Sequence, residues 1–217
     1  MGTGIVSILL QHLVIGSHWQ YSLAIAVFAL NVILFILFLA LLVVRCLVLS
    51  GSLRDLILEP GQGLYLGAIP TSLGTIVSMI CYVCVDPWGP PVQYLALTLW
   101  GVQAVLSLFC IFSLHYLLIT ASHKFDLSQL TAGHLFPAIS CIVASATGAA
   151  VASIVSNPQH GLWVLLGSYV LWGLGMPMAM MTTVIYFHRL MIHKLPPREL
   201  IVTVFIPIGE RSLDGLN

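Results

Sequence analysis

The sequence contains very little charge. Only 6% of its 217 residues are Asp, Glu, Lys or Arg, whereas a soluble domain usually carries about 25%. The seven basic and seven acidic side chains balance, so nothing in the composition indicates a nucleic-acid partner or a polybasic lipid-binding face. Because 59% of the residues are hydrophobic, we predict an all-α integral membrane protein whose surroundings are the lipid bilayer.

The sequence also lacks the signatures of catalysis and secretion. We find no metal-ligand spacing, phosphate-binding loop, nucleophile elbow or acid pair, and therefore predict no enzyme, no metal and no cofactor. The N-terminus has no basic region typical of a signal peptide. All five cysteines lie in or beside apolar runs, which argues against a disulfide scaffold. Cys81 and Cys84 have the spacing of a thiol redox pair, but small buried side chains are the favoured interpretation.

Long apolar runs divide the chain on the scale of a bilayer. A hydrocarbon core about 30 Å thick requires roughly 20 apolar residues in each helix that crosses it. We predict one transmembrane domain over residues 1–217, built as a polytopic bundle of helical hairpins with five full spans and two incomplete ones. The predicted helices are α1 (1–13, incomplete), α2 (21–49), α3 (63–85), α4 (94–120), α5 (130–155), α6 (161–192) and α7 (200–208, incomplete).

Basic residues are distributed unevenly among the connections. The loops after α2, α4 and α6, with the helix ends beside them, contain all the Lys and Arg residues before the C-terminal tail, whereas the loops after α1, α3 and α5 contain none. The positive-inside rule therefore predicts that the loops after even helices are cytoplasmic and that Asp86, after α3, is external.

A topology measurement tests this orientation. A reporter fused within residues 121–129 should be found in the cytoplasm, and one fused beside Trp88 should be found outside, because Lys124 lies in the first loop and the second contains no basic residue. Protease protection of the two fusions would decide the matter. The opposite pattern would reverse the orientation.

Small residues distinguish the odd helices from the even ones. The predicted α2 has no Gly or Pro, whereas α3 and α5 are interrupted by both. At helical spacing α3 carries Gly67, Thr71, Gly74 and Ser78 beside Pro70, and α5 carries Pro137, Cys141, Ala144 and Gly148. Such faces indicate close helix packing, or a polar pathway in which proline-freed backbone carbonyls meet water. In the second interpretation, odd helices surround the pathway and even helices lie outside them.

Two histidines lie within the apolar spans. His115 is near the middle of α4, and His134 is near the predicted cytoplasmic start of α5. Because histidine titrates near neutral pH, either could couple a proton or attract an anion. The alternative for both is a hydrogen bond to a neighbouring helix.

Four short motifs carry a resemblance to a known family. They are MGTGIVS at 1–7, GLYLGAIP at 63–70, LFP at 135–137 with VASATG at 143–148, and HKLPPRE at 193–199. In this order the sequence resembles the tellurite-resistance/dicarboxylate transporter family, which is voltage-dependent anion channel-like. The similarity is greatest to its fungal branch of sulfite efflux pumps and malic acid permeases.

The resemblance implies a fold and a function. It implies ten helices, with odd helices lining an anion pathway and even helices forming the outer wall, and a homotrimer by analogy with bacterial members. The implied activity is transport of a small anion across the plasma membrane, with sulfite efflux first and C4-dicarboxylate (malate) transport as the alternative. The candidate pathway residues are Gly2, Thr3, Gly4, Gly67, Pro70, Thr71, Gly74, Ser78, His134, Pro137, Cys141 and Gly148.

The resemblance also indicates an incomplete copy of the family pattern. Members have residues before the MGTGIVS motif that complete α1, and they continue after the FIPIG sequence at 205–209 into α7 and three further helices. We therefore expect about six to seven of the ten helices. A truncated, non-transporting membrane subunit that pairs with or regulates a full-length relative stays open as a further hypothesis.

Overall fold

The structure, a computed structural model, describes residues 4–6, 8–9, 18–48, 66–84, 90–120 and 132–193. Within these ranges every secondary-structure element is helical, which confirms the predicted fold class. The predicted α7, Gly2 and Thr3 lie outside the described residues. The observed elements are α1 (residues 4–6 and 8–9), α2 (His18–Val48), α3 (Ala68–Met79 with the π-helical turn Ile80–Cys84), α4 (Pro90–Thr120), α5 (Phe136–Ile154 after the 3-10 turn Ala132–Leu135) and α6 (Pro158–His193).

Four of these helices are long and apolar enough to cross a bilayer. The apolar spans are Ser22–Arg45, Pro91–Ser113, Gly133–Ile154 and Pro158–Ile192, whereas the apolar part of α3, Ala68–Val83, is shorter. The chain therefore passes through the membrane several times.

Proline and asparagine determine where several helices begin. In α4 and α6 a proline occupies the first position, where its missing N–H leaves no hydrogen bond unmade. Asn157 caps α6, since its Oδ1 accepts a hydrogen bond from the Gln159 N–H at 3.1 Å. For this reason α4 and α6 begin at Pro90 and Pro158, ahead of the predicted residues 94 and 161.

Burial separates inner helices from outer ones. In the most apolar stretch of α5, 67% of residues are buried within the protein, against 28% for α4, 28% for α6 and 6% for α2. In α3, seven of the twelve residues in Ala68–Met79 are buried. The inner position of α3 and α5 and the outer position of the even helices, predicted from Gly and Pro, are therefore confirmed.

The outer helices present large apolar side chains on their exposed faces. On α2 these include Ile33, Phe38 and Leu41, and on α6 they include Trp163 and Val184. Such residues suit contact with acyl chains. Among the α2 side chains that the structure describes, the buried ones are Ala24 and Asn31, which are seven residues apart and therefore share one helix face.

Candidate functional site

Two glycines of the predicted α3 stripe lie where α3 meets α5. A Cβ atom on Gly67 would be 2.9 Å from the carbonyl carbon of Phe136, and one on Gly74 would be 2.9 Å from Val143 Cγ1 and 3.0 Å from Thr147 Oγ1. Real Cβ atoms hardly ever come so close to other heavy atoms. The absence of side chains at both positions therefore permits the inner helices to touch.

A row of polar side chains on α4 faces the inner helices. Trp100 Nε1–H donates a hydrogen bond to the Ala144 carbonyl at 2.9 Å, and Ser107 Oγ donates one to the Ser140 carbonyl at 3.1 Å. These bonds hold α4 against α5. They also place the residue between them, Gln103, at the centre of the α4–α5 contact.

Gln103 is fully buried beside Gly74. Its side chain is 0% exposed, and its Nε2 atom occupies the space where a Cβ on Gly74 would be built. Among the residues that the structure describes, neither Nε2 nor Oε1 of Gln103 has a hydrogen-bond partner. The contact of α3, α4 and α5 thus contains a carboxamide whose hydrogen-bonding capacity is unused.

The hydroxyl groups around this contact behave differently from Gln103. Thr147 Oγ1 donates to the Val143 carbonyl at 2.8 Å, Ser140 Oγ donates to the Pro137 carbonyl at 2.7 Å, and Thr71 Oγ1 lies 2.8 Å from the Ala68 carbonyl. Each bonds to the backbone of its own helix, as Ser and Thr often do in apolar surroundings. Their donor capacity is therefore used locally.

Gly4 lies at a second polar contact, formed by α1, α2 and α3. A Cβ on Gly4 would be 2.5 Å from Thr75 Oγ1 and 3.2 Å from Asn31 Nδ2. Thr75 and Asn31 are buried, and Thr75 Oγ1 donates to the Ser72 carbonyl at 2.8 Å. Gly4 is thus close to α3, as the hypothesis of odd helices around one pathway requires.

The small-residue face of α5 points toward the outer helices. A Cβ on Gly148 would be 2.6 Å from Trp100 Nε1 on α4, and it would also meet Ser168 on α6. The Cβ of Cys141 would be 3.1 Å from a Cβ built on Gly175 of α6. Cys141 and Gly148 thus serve close helix packing in this structure, and their role in an anion pathway stays a prediction.

The other candidate residues occupy a range of environments. Pro70, Thr71, His134 and Pro137 are buried, whereas Ser78 is half-buried. His115 does not reach a neighbouring helix through Nδ1, which lies 2.7 Å from the Ile111 carbonyl of α4 itself. Cys81 is buried. In the described part of the chain, no group of three or more His, Cys, Asp or Glu side chains is placed to hold a metal ion.

The described helices are free of negative charge. Their sequences contain two arginines, Arg45 and Arg189, and not one Asp or Glu. Arg189, near the C-terminal end of α6, is only 5% exposed. The polar groups of these helices are therefore hydroxyls, amides, histidines, two guanidinium groups and backbone dipoles, with no carboxylate among the described residues.

A cavity of about 200 Å³ lies at the opposite end of the bundle from Arg189. It is bordered by the first residues of α4 and the turn between α5 and α6, where Gln93 Oε1 accepts a hydrogen bond from Ser156 Oγ at 2.8 Å. The remaining lining residues are Tyr94, Leu97, Val155, Asn157 and His160. By the predicted orientation this cavity faces outside.

The sequence patterns did not identify four residues at these polar contacts, which are Gln103, Trp100, Thr147 and Asn31. The signal available for two of them was spacing, because Trp100, Gln103 and Ser107 are three and four residues apart and so share one face of an uncharged helix. Asn31 stands alone among the apolar residues of α2, and Thr147 lies within a motif quoted only for its resemblance.

The protein-family model described as SLAC1, voltage-dependent anion channel, matches residues 1–213. The chain belongs to this family. It is 38% identical over 217 residues to the sulfite efflux pump SSU1 of Arthroderma benhamiae and 37% identical to that of Trichophyton rubrum. It is also 29% identical over 211 residues to the sulfite efflux pump SSU1 of Candida albicans. No solved structure matches the chain significantly.

The matches confirm the family predicted from the four sequence motifs. The alignments cover 100% of this chain and 58% of the Arthroderma and Trichophyton proteins, and 96% of this chain and 43% of the Candida protein. The chain thus spans somewhat more than half the length of the first two relatives. As a member of the voltage-dependent anion channel family with several apolar helices, it is a multi-pass membrane protein.

Proposed function

We propose that this protein moves small anions across the plasma membrane and that its substrate is sulfite, carried out of the cell. The observation that carries the proposal is an inner pair of helices, α3 and α5, with buried polar side chains in a bundle whose described part has no carboxylate. The names of the relatives, all sulfite efflux pumps, support sulfite as the substrate.

The proposed mechanism requires no covalent chemistry. Moving an anion through hydrocarbon is costly because the ion loses its hydration shell, and polar groups along a route replace part of that shell. We assign this role to residues of the predicted α1, of α3 and of the first half of α5. They are Gly2, Thr3, Gly4, Gly67, Pro70, Thr71, Gly74, Ser78, His134 and Pro137, with Cys141 and Gly148 farther along α5.

The route would pass between α1, α3 and α5. Support comes from Gly4 and Gly74, which lie against polar atoms of other helices, and from Thr71 and Ser78, which share a helix face with Gly74. By family analogy we also propose a homotrimer. Oligomeric state measured by native mass spectrometry in detergent would test that part separately.

Growth on sulfite tests the proposed function. The intact protein, expressed in cells that lack their own sulfite exporter, should restore sulfite tolerance relative to an empty vector, because export lowers the cytoplasmic sulfite concentration. Membrane abundance is checked with an epitope tag, and malate export is measured in the same cells. Tolerance equal to that of the empty vector at normal abundance would contradict sulfite efflux and favour a non-transporting subunit. Malate export without sulfite tolerance would favour the dicarboxylate alternative.

A further inference from the structure

Gln103 is a buried polar group that the packing of the bundle does not explain. Its neighbours on the same face of α4, Trp100 and Ser107, each bond to a carbonyl of α5, and both of those bonds are made without Gln103. A carboxamide can make up to four hydrogen bonds, but the 0% exposed side chain makes none to the residues described. Buried polar groups in native proteins nearly always have a partner, which can be protein, water or a ligand.

The position of the amide indicates which partner it has. The carboxamide of Gln103 lies against Gly74 on α3, where α3 also meets Val143 and Thr147 of α5, so it is placed at the contact of the two inner helices. Because Gly74 has no side chain, this amide packs directly on the face of α3 that also carries Thr71 and Ser78. The hydroxyls of Thr71 and Thr147 are already bonded to their own helices, so Gln103 has the donor that is free for another group.

We propose that Gln103, from an outer helix, contacts the transported anion at the Gly74 position, with Nε2–H donating a hydrogen bond to an oxygen of the anion. A neutral amide is suited to this role, because it replaces a water of hydration without forming an ion pair that would hold the anion in place. The inference rests on the proposed anion transport, and it adds a residue of α4 to a route otherwise lined by odd helices.

The apparent affinity for sulfite tests this contact. The intact protein is reconstituted into liposomes, and initial rates of radiolabelled sulfite uptake are measured over a range of sulfite concentrations. In Gln103→Leu the KM for sulfite should rise about tenfold or more, since a hydrogen bond to a charged group is lost. Gln103→Asn keeps the amide on a shorter side chain and should give an intermediate KM.

Ser107→Ala is the matched control. Ser107 lies on the same face of α4 as Gln103, and the substitution removes its hydrogen bond to the Ser140 carbonyl of α5. It should therefore lower thermal stability while the KM for sulfite stays at the wild-type value. If Gln103→Leu is not recovered from membranes, the KM of Gln103→Asn decides the question.

Each result has a distinct meaning. Sulfite uptake by the wild-type protein with an unchanged KM in the Gln103 variants would overturn the anion contact alone, and would indicate a structural partner such as a buried water. A wild-type protein without anion uptake would overturn the proposed function and this contact with it. A raised KM in the Gln103 variants but not in Ser107→Ala supports the contact.

Discussion

Gly74→Leu should nearly abolish sulfite transport, whereas Gly101→Leu should leave it close to the wild-type rate. A side chain at position 74 would meet Gln103, Val143 and Thr147 at once, and would push α3 away from α5. At Gly101, on the same outer helix as Gln103, a Cβ would have no heavy atom of the described residues within 4 Å. Overpacking a well-packed interior usually costs about 1–3 kcal/mol, and a leucine between two inner helices belongs at the upper end of that range.

The measurement is sulfite flux per molecule of protein in the membrane. Ala26→Leu on α2 serves as a second control, because Ala26 is exposed on the helix with the least buried apolar stretch. Equal losses of flux in Gly74→Leu and Ala26→Leu, at equal abundance, would contradict the assignment of the route to the odd helices.

Gly148→Leu should prevent stable folding, whereas Gly173→Leu should not. A Cβ at position 148 would be 2.6 Å from Trp100 Nε1 and 2.9 Å from Trp100 Cε2, and it would also meet Ser168 Oγ. The indole cannot easily move aside, because its N–H is bonded to the Ala144 carbonyl. We expect a loss of about 3 kcal/mol in the free energy of unfolding, with low recovery from membranes.

Gly173 provides the comparison on α6. A Cβ there has no described heavy atom within 4 Å, and replacing a helical glycine with leucine improves helix propensity by a few tenths of a kcal/mol or more. The melting temperature in detergent should therefore fall or be unmeasurable for Gly148→Leu and stay the same or rise for Gly173→Leu. Normal stability of Gly148→Leu would contradict the close contact of α4, α5 and α6.

The inner and outer helices could be predicted because lipid and protein require different residues. A helix that faces acyl chains needs no glycine for close packing, and α2 has neither Gly nor Pro. A helix enclosed by others needs small residues where backbones approach. Gly67 and Gly74 on α3 show this requirement directly, since both lie against α5. The same composition signal therefore predicted the burial of both α3 and α5.

The direction of each small-residue face could not be predicted in the same way. Spacing shows that Cys141 and Gly148 share a face of α5, but it does not show which neighbour meets that face. The structure places Gly148 beside Trp100 and Ser168, on the side of the outer helices. Gly74, with an equivalent pattern on α3, lies against the other inner helix at Val143 and Thr147 as well as against Gln103 of the outer helix α4.

Single polar residues in apolar helices were the least predictable part. For His115 we predicted proton coupling, anion attraction or a hydrogen bond to a neighbouring helix, yet its Nδ1 lies 2.7 Å from a carbonyl of its own helix. Gln103 has no charge and belongs to no quoted motif, and its position follows only from how α4 packs on α5 between Trp100 and Ser107. Such positions depend on how the helix is rotated about its own axis. The sequence of α4 does not determine this rotation, because large apolar residues occur on all sides of the helix.

Sulfite flux into liposomes tests the central claim most directly. The intact protein is reconstituted, an inward sulfite gradient is imposed, and uptake is compared with protein-free liposomes and with Gly74→Leu and Gly101→Leu proteins at matched density. Transport along the odd helices predicts saturable sulfite uptake in the wild-type and Gly101→Leu proteins and almost none in Gly74→Leu. Wild-type uptake no greater than that of protein-free liposomes, with the protein folded in the bilayer, would contradict the claim that this bundle transports sulfite.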